Sequence, residues 1–252
     1  MKNYPTVESR EPEVEDKTIL APPTFRPQPS TLDPQHAFTL VELLTVISII
    51  ALLAAFTVAV LGGAKKSATL NHAKAELAQL ETAIDSYKQD HGFYPPSNAN
   101  NNYLVNQLYY ELEGTTNNTS TSFQTLDASS TIPTATVSGT FGVGGFMNCA
   151  KGSGEESVPA KNYLIGLPSS QIGSYNSGVA SVLVTSVGGS DQNYLNSLQA
   201  MGFSGNPWRY NSSNPTNNPG AYDLWVQIVI KPGQTNLICN WTKQVQLNSP
   251  LP

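Results

Sequence analysis

Three patterns of apolar and polar residues run along this chain, and each predicts a different element. The first is continuous: Leu43 to Leu61 holds 19 residues without a charge. That is about the length a helix needs to cross the hydrocarbon core of a bilayer. The second is Leu70, Ala73, Leu77, Leu80, Ile84 and Tyr87, spaced alternately by three and four. This spacing lays an apolar seam along one helical face, with Lys74, Glu76, Gln79, Asp85 and Lys88 largely off it. Gly92 and Pro95-Pro96 stop the helix soon after Asp90. The third is alternation: Tyr222, Leu224, Val226, Ile228 and Ile230 against Asp223, Trp225, Gln227, Val229 and Lys231, the period of a strand.

From residue 38 to residue 90 these patterns predict one helix, about 80 Å long at 1.5 Å per residue. Its first half suits lipid or neighbouring subunits, and its seam packs on the chain's own sheet in preference to a dimeric coiled coil. Gly62-Gly63 falls where the halves join and marks either a weak point or a bend at the membrane surface. Tyr103–Leu112 reads as a short amphipathic helix. Thr115–Gly154, rich in Ser, Thr, Asn and Gly, reads as loops with at most one short hairpin. Val179–Val187 is a strand candidate. Asp191–Met201 is a short helix with Ser190 or Asp191 as N-cap, Leu195 and Leu198 inward, and Gly202 as stop. Lys231-Pro232-Gly233-Gln234 fits a type II turn, after which Thr235–Leu247 returns as an antiparallel partner. Helix first and antiparallel sheet after define an α+β fold.

Composition narrows the setting. Only 12% of the 252 residues are charged and the net charge is −5, which argues against a nucleic-acid surface. The polar, turn-rich remainder suits an extracytoplasmic domain. Residues 1–37 carry seven prolines and a net charge of −2, so the segment is expected to be disordered. It lacks the basic start and short apolar core of a secretory signal. The cysteines, Cys149 and Cys239, are two in number. A bridge between them would close a loop of about 90 residues and contribute about 4–5 kcal/mol in the chain-entropy model; two unpaired buried thiols are the alternative. His36, His72 and His91 are scattered, without metal-ligand spacing, phosphate-binding loop or nucleophile elbow. Neither an enzyme nor a metal or cofactor site is expected.

The decisive local feature is Ala37-Phe38-Thr39-Leu40-Val41-Glu42 ahead of the apolar run. A carboxylate inside a membrane-spanning helix costs about 2.5–3.5 kcal/mol on insertion scales and usually has a partner. Cutting the chain between Ala37 and Phe38 would create one: the new α-amino group, a cation with a reference pKa of about 7.7–8.0. Glu42 of one subunit could then pair with the amine of a neighbour inside an apolar layer. This pattern resembles the processing signal of type IV prepilins and type II secretion pseudopilins, in which a polar leader is removed before Phe and the new N-terminus is methylated. Ala37 stands where that family usually has Gly, and no proline lies between Pro34 and Pro95, where pilins often carry a helix breaker. Counting lysines and arginines near the membrane, Arg26 on one side against Lys65, Lys66 and Lys74 on the other weakly favours a cytoplasmic C-terminal part. The resemblance implies the reverse orientation.

Within the superfamily, the helix end is most like the major pseudopilin of type II secretion. Ala83-Ile84, Tyr87-Lys88, Asp90, Gly92 and Phe93-Tyr94-Pro95 fall at matching positions, with Phe93 and Tyr94 implied to fold back as aromatic plugs. Gly205-Asn206-Pro207-Trp208-Arg209-Tyr210, Tyr222-Asp223-Leu224-Trp225 and Asn240-Trp241 extend the likeness. Between the last two, the family has a calcium-binding loop with acids, whereas Val226 to Cys239 contains no Asp or Glu. Calcium needs six to eight oxygens, several usually from carboxylates, so no calcium is expected there.

The resemblance implies a cleaved leader (1–37), an N-terminal helix (38–91, of which 38–61 spans the membrane and drives assembly) and an extracytoplasmic head (92–252). It implies a structural subunit of a type II secretion pseudopilus, anchored in the bacterial inner membrane with its head in the periplasm. Its partners would be further copies of itself, prepilin peptidase, minor pseudopilins and the inner-membrane assembly platform. A type IV pilin of a surface fibre shares the same N-terminal segment, and a membrane-tethered protein whose Tyr- and Trp-containing head holds sugar or peptide is the reading from another class.

Overall fold

The computed structural model describes residues 38–117, 121–150 and 158–250, without the side chains of 58–61. The leader, with Ala37, lies outside the described residues. The chain divides into two units between Leu52 and Leu53. Helix α1, Leu40–His91, begins in the first and continues in the second. Within the first unit its side chains are exposed, among them Leu43, Val46, Ile49 and Leu52. It is the one described helix long and apolar enough to cross a membrane.

In the second unit α1 runs unbroken through Gly62-Gly63, and a Cβ at either glycine would meet nothing within 4 Å. The seam then turns inward as its spacing predicts: Ala73, Leu77, Leu80, Ile84 and Tyr87 are buried, and Leu70 packs against their edge. One residue expected off the seam is also buried. Glu76 is 2% exposed because its carboxylate accepts from the Ser186 backbone N–H (3.1 Å) and from the Ser186 hydroxyl, with His72 Nε2 at 3.6 Å.

Four strands form the C-terminal sheet: β8 (Arg209–Asn211), β9 (Asp223–Lys231), β10 (Gln234–Cys239) and β11 (Thr242–Leu247), in the order β11-β10-β9-β8 and all antiparallel. The β9–β10 hairpin closes with Lys231 opposite Gln234, and Gly233 at φ +74° supplies the left-handed residue that a type II turn demands. The return is two strands where the sequence suggested one, because the chain turns at Asn240-Trp241. Alternation along β9 does not translate into one wet face. Leu224, Val226 and Ile228 enter the main core, while Trp225 sits in a smaller cluster with Leu237, Cys239, Tyr103 and Trp241. Val229 is covered by Gly189, which forms an isolated bridge to it.

The rest of this unit is more ordered than its composition suggests. β1 (Thr115–Thr116), β2 (Ser122–Thr125), β3 (Thr131–Pro133) and β4 (Cys149–Ala150) make a second sheet in the order β3-β2-β1-β4, with β1 and β4 parallel. α3 (Thr134–Phe141) follows β3 and buries Val137 and Phe141. The expectation of loops with one hairpin is thus corrected: strands of two to four residues are too short to show a period. The preceding helix α2, Leu108–Glu113, is shorter than expected and buried at all six positions, so it is not amphipathic. β5 (Ile172–Tyr175), β6 (Ala180–Thr185) and β7 (Asn206–Pro207) form a third, antiparallel sheet. α4 (Gln192–Ala200) is capped by Asp191, whose carboxylate accepts from the Tyr194 N–H at 2.8 Å. Leu198 is buried and Leu195 half-buried.

The structure does not form the expected bridge between Cys149 and Cys239. Cys149 and Cys239 are free thiols, both buried, one in β4 of the second sheet and the other in β10 of the C-terminal sheet. They belong to different apolar clusters. Burial pushes the Cys239 thiol above its ordinary pKa.

Candidate processing and assembly segment

Phe38 stands before the helix, 81% exposed, and Thr39 forms its N-cap. The Thr39 backbone N–H and hydroxyl both donate to Glu42 Oε2, at 2.9 and 2.8 Å, while the Glu42 N–H donates back to the Thr39 hydroxyl at 3.2 Å. This is a reciprocal capping box: Thr at the cap and Glu three residues on satisfy helix N–H groups that have no intrahelical partner. The carboxylate also lies at the positive end of the helix dipole. Sequence reasoning singled out Glu42 for its charge alone; the Thr-x-x-Glu spacing before an apolar run was the available signal for its local role.

Beyond Glu42 the helix hides its own polar atoms. Thr45 donates to the Glu42 carbonyl, Ser48 to the Leu44 carbonyl and Thr57 to the Ala54 carbonyl, at 2.7–2.9 Å. In lipid, where no water can replace them, such internal bonds are what makes hydroxyls tolerable. The segment therefore presents an apolar exterior with a carboxylate near its N-terminal end.

At the other end of α1, residues far apart in sequence meet around the helix stop. Tyr210 and Ser212 donate their hydroxyls to the Pro95 carbonyl, at 2.7 and 2.8 Å. Tyr94 packs edge-on against Tyr222 (4.9 Å between ring centroids), with Lys88 Nζ 4.0 Å above its ring. Tyr94 thus plugs the turn, but Phe93 does so only in part: it is 40% exposed and reaches the edge of Tyr87. Tyr87 stacks on His91 at 4.2 Å and donates to the buried Glu111 carboxylate. Asp90 accepts from Lys161 Nζ (2.6 Å) and the Tyr163 hydroxyl (2.9 Å), and these hydrogen bonds hold its carboxyl below the usual range. Burial lowers the His91 pKa.

The C-terminal motif residues are similarly tied in. Asn240 accepts from the Leu224 N–H and donates to the Tyr222 carbonyl. The buried Asp223 carboxylate accepts from the N–H groups of Thr216, Asn217 and Asn218 and from the Asn217 side-chain amide. Arg209, 6% exposed, donates to the Tyr194 hydroxyl, the Pro207 carbonyl and Gln227. None of these buried polar roles was visible beforehand, because each partner comes from another element. Where the family resemblance places a calcium loop, the chain has β9 and β10 joined through Pro232-Gly233. Among the described residues, no group of three or more His, Cys, Asp or Glu is gathered as a metal would require.

Helix α1 with antiparallel sheets behind its second half is the α+β layout of a pilin-like fold. Residues 33–58 match the prokaryotic N-terminal methylation motif. The chain is similar to type II secretion system core protein G of Escherichia coli (strain K12), 41% identical over 73 residues, which cover 29% of this chain and 50% of that protein. The same protein of Aeromonas hydrophila is 38% identical over 73 residues (29% and 51%), and that of Vibrio cholerae 38% over 71 residues (28% and 49%). The chain spans about half the length of the curated relatives it matches. No solved structure matches it significantly. Motif and relatives together support a pseudopilin of the core protein G kind.

Proposed function

We propose that this chain is a structural subunit of a type II secretion pseudopilus and not an enzyme. Prepilin peptidase removes residues 1–37 by cutting between Ala37 and Phe38, and Phe38 is then N-methylated. The exposed apolar helix headed by the Thr39–Glu42 box, inside the matched methylation motif, is the observation that carries this reading. Glu42 enters the filament already oriented by Thr39. A carboxylate has about four acceptor sites, so it can keep both Thr39 bonds and still take the α-amino group of an adjacent Phe38.

The helix anchors the subunit in the inner membrane with its head in the periplasm, and copies polymerise through residues 38–61 with minor pseudopilins on the inner-membrane platform. The β9–β10 hairpin stiffens the head where acids for calcium are lacking. The test is the N-terminus of the protein in membranes and in sheared surface filaments, determined by mass spectrometry. Methylated Phe38 confined to membranes is expected; methylated Phe38 in sheared fibres would make it a surface pilin. An intact leader in both would remove both readings and leave a tethered binding domain. Glu42→Ala is expected to be cut normally but to fail in assembly.

A further inference from the structure

A second site lies where the helix leaves the apolar run. Gly62, Lys65, Lys66 and Thr69 on α1 face the 187–190 loop and Ile230 across a cleft of about 370 Å³. Two independent features build it. The loop is fixed: the Ser190 and Asp191 N–H groups both donate to the Val229 carbonyl, the Ser190 hydroxyl donates to the Ile230 carbonyl, and Gly189 sits at φ +85°. A Cβ there would come within 2.6 Å of the Val229 carbonyl oxygen, so this close approach needs glycine. The two lysines, in contrast, form no ion pair among the described residues, and Lys66 is half-buried. Asp191, at the end of the loop, is buried and occupied in capping α4.

The position along the helix says what the cations meet. Lys65 and Lys66 follow Leu61 by four and five residues, about 6–8 Å of helix. The headgroup layer on each side of a bilayer is about 5–8 Å thick. We propose that the Lys65–Lys66 cleft binds the phosphate of a net-anionic phospholipid, such as phosphatidylglycerol, in the leaflet facing the head. The phosphate oxygens accept from the two ammonium groups and from the Thr69 hydroxyl lining the cleft. This docks the head on the membrane surface before assembly and is given up when the subunit leaves the bilayer. Lys74, about 20 Å beyond Leu61, stands clear of that layer and donates instead to the Lys243 carbonyl.

The proposal rests on the membrane-anchored reading above. Its test uses the full chain in nonionic detergent, titrated separately with dioleoylphosphatidylglycerol, dioleoylphosphatidylcholine and inorganic phosphate, with adducts counted by native mass spectrometry. One phosphatidylglycerol is expected to be retained, about 30-fold more weakly in the Lys65→Gln/Lys66→Gln double variant and unchanged in Lys74→Gln. Should the double variant lose helicity, each single substitution is expected to weaken retention about fivefold. Equal retention of phosphatidylcholine, indifference to the lysine substitutions, or a phosphate adduct in place of lipid would overturn the proposal. A chain that is processed at Phe38 and held in membranes but shows no lysine-dependent lipid removes this inference alone. An unprocessed chain removes the pseudopilin reading instead.

Discussion

The Tyr210 hydroxyl donates to the Pro95 carbonyl at 2.7 Å, joining the stop of α1 to the start of the C-terminal sheet across 115 residues of sequence. Tyr210 is fully buried and also faces Tyr222, which packs on Tyr94. Ser212 shares the same carbonyl, so Tyr210→Phe leaves that acceptor occupied. A loss of about 1 kcal/mol is expected for Tyr210→Phe, and about 3–5 kcal/mol for Tyr210→Ala, which opens a cavity as well. Urea unfolding followed by tryptophan fluorescence measures both, and equal losses would show that the hydrogen bond, not the packing, dominates.

Glu76 illustrates the opposite case, an acid on the buried face of a helix. Glu76→Ala leaves the Ser186 N–H without its acceptor and is expected to cost about 1–3 kcal/mol. Glu76→Gln keeps an acceptor and should cost less. A stability for Glu76→Ala equal to that of the wild type would mean that water replaces the carboxylate freely.

Glu113 makes stability depend on pH. Burial, with the Asp127 charge nearby, pushes its carboxyl up to about 7, while Asn162 donates to it. The folded state therefore holds the proton more tightly than the unfolded one. The stabilisation is complete below the unfolded pKa of about 4.3 and is lost as pH rises through about 7. Relative to Glu113→Gln, wild-type urea midpoints are expected to fall between pH 5 and 8, the variant cancelling the opposite contribution of His91. A difference between the two proteins that rises over that window would reverse the assignment.

The cysteines give a simple count. The chain unfolded in denaturant without reductant is expected to release two thiols to Ellman's reagent, and the folded chain very few, because both are buried. No thiol released on unfolding would mean a bridge between Cys149 and Cys239.

Capping at the head of the membrane helix is open to a milder substitution. Thr39→Ala removes the N-cap hydroxyl and should cost the isolated helix about 1 kcal/mol, while Thr39→Ser retains it. Helicity of the full chain in detergent, by circular dichroism on heating, separates the two; identical profiles would show that the box adds nothing to the helix start.

Elements whose signal is local follow from neighbouring residues alone. An uncharged run, a three–four seam and a Pro-Gly turn each state their geometry within a few residues, and α1 and the β9–β10 hairpin follow them closely. The Phe38–Glu42 segment was legible for the same reason: a carboxylate before an apolar run is unusual wherever the rest of the chain goes. What lies across from what was set only when distant segments packed together. Strands of two residues in the 115–150 region carry no period, so pairing partners created that sheet. Burial on both faces of β9 came from Tyr103, Trp241 and Gly189, brought over it from elsewhere in the chain. Glu76 went inside because Ser186 offered two donors, and the two cysteines ended in separate sheets. Hydrogen bonds and apolar contacts between distant segments form only when the chain closes on itself, and no spacing along the sequence announces them.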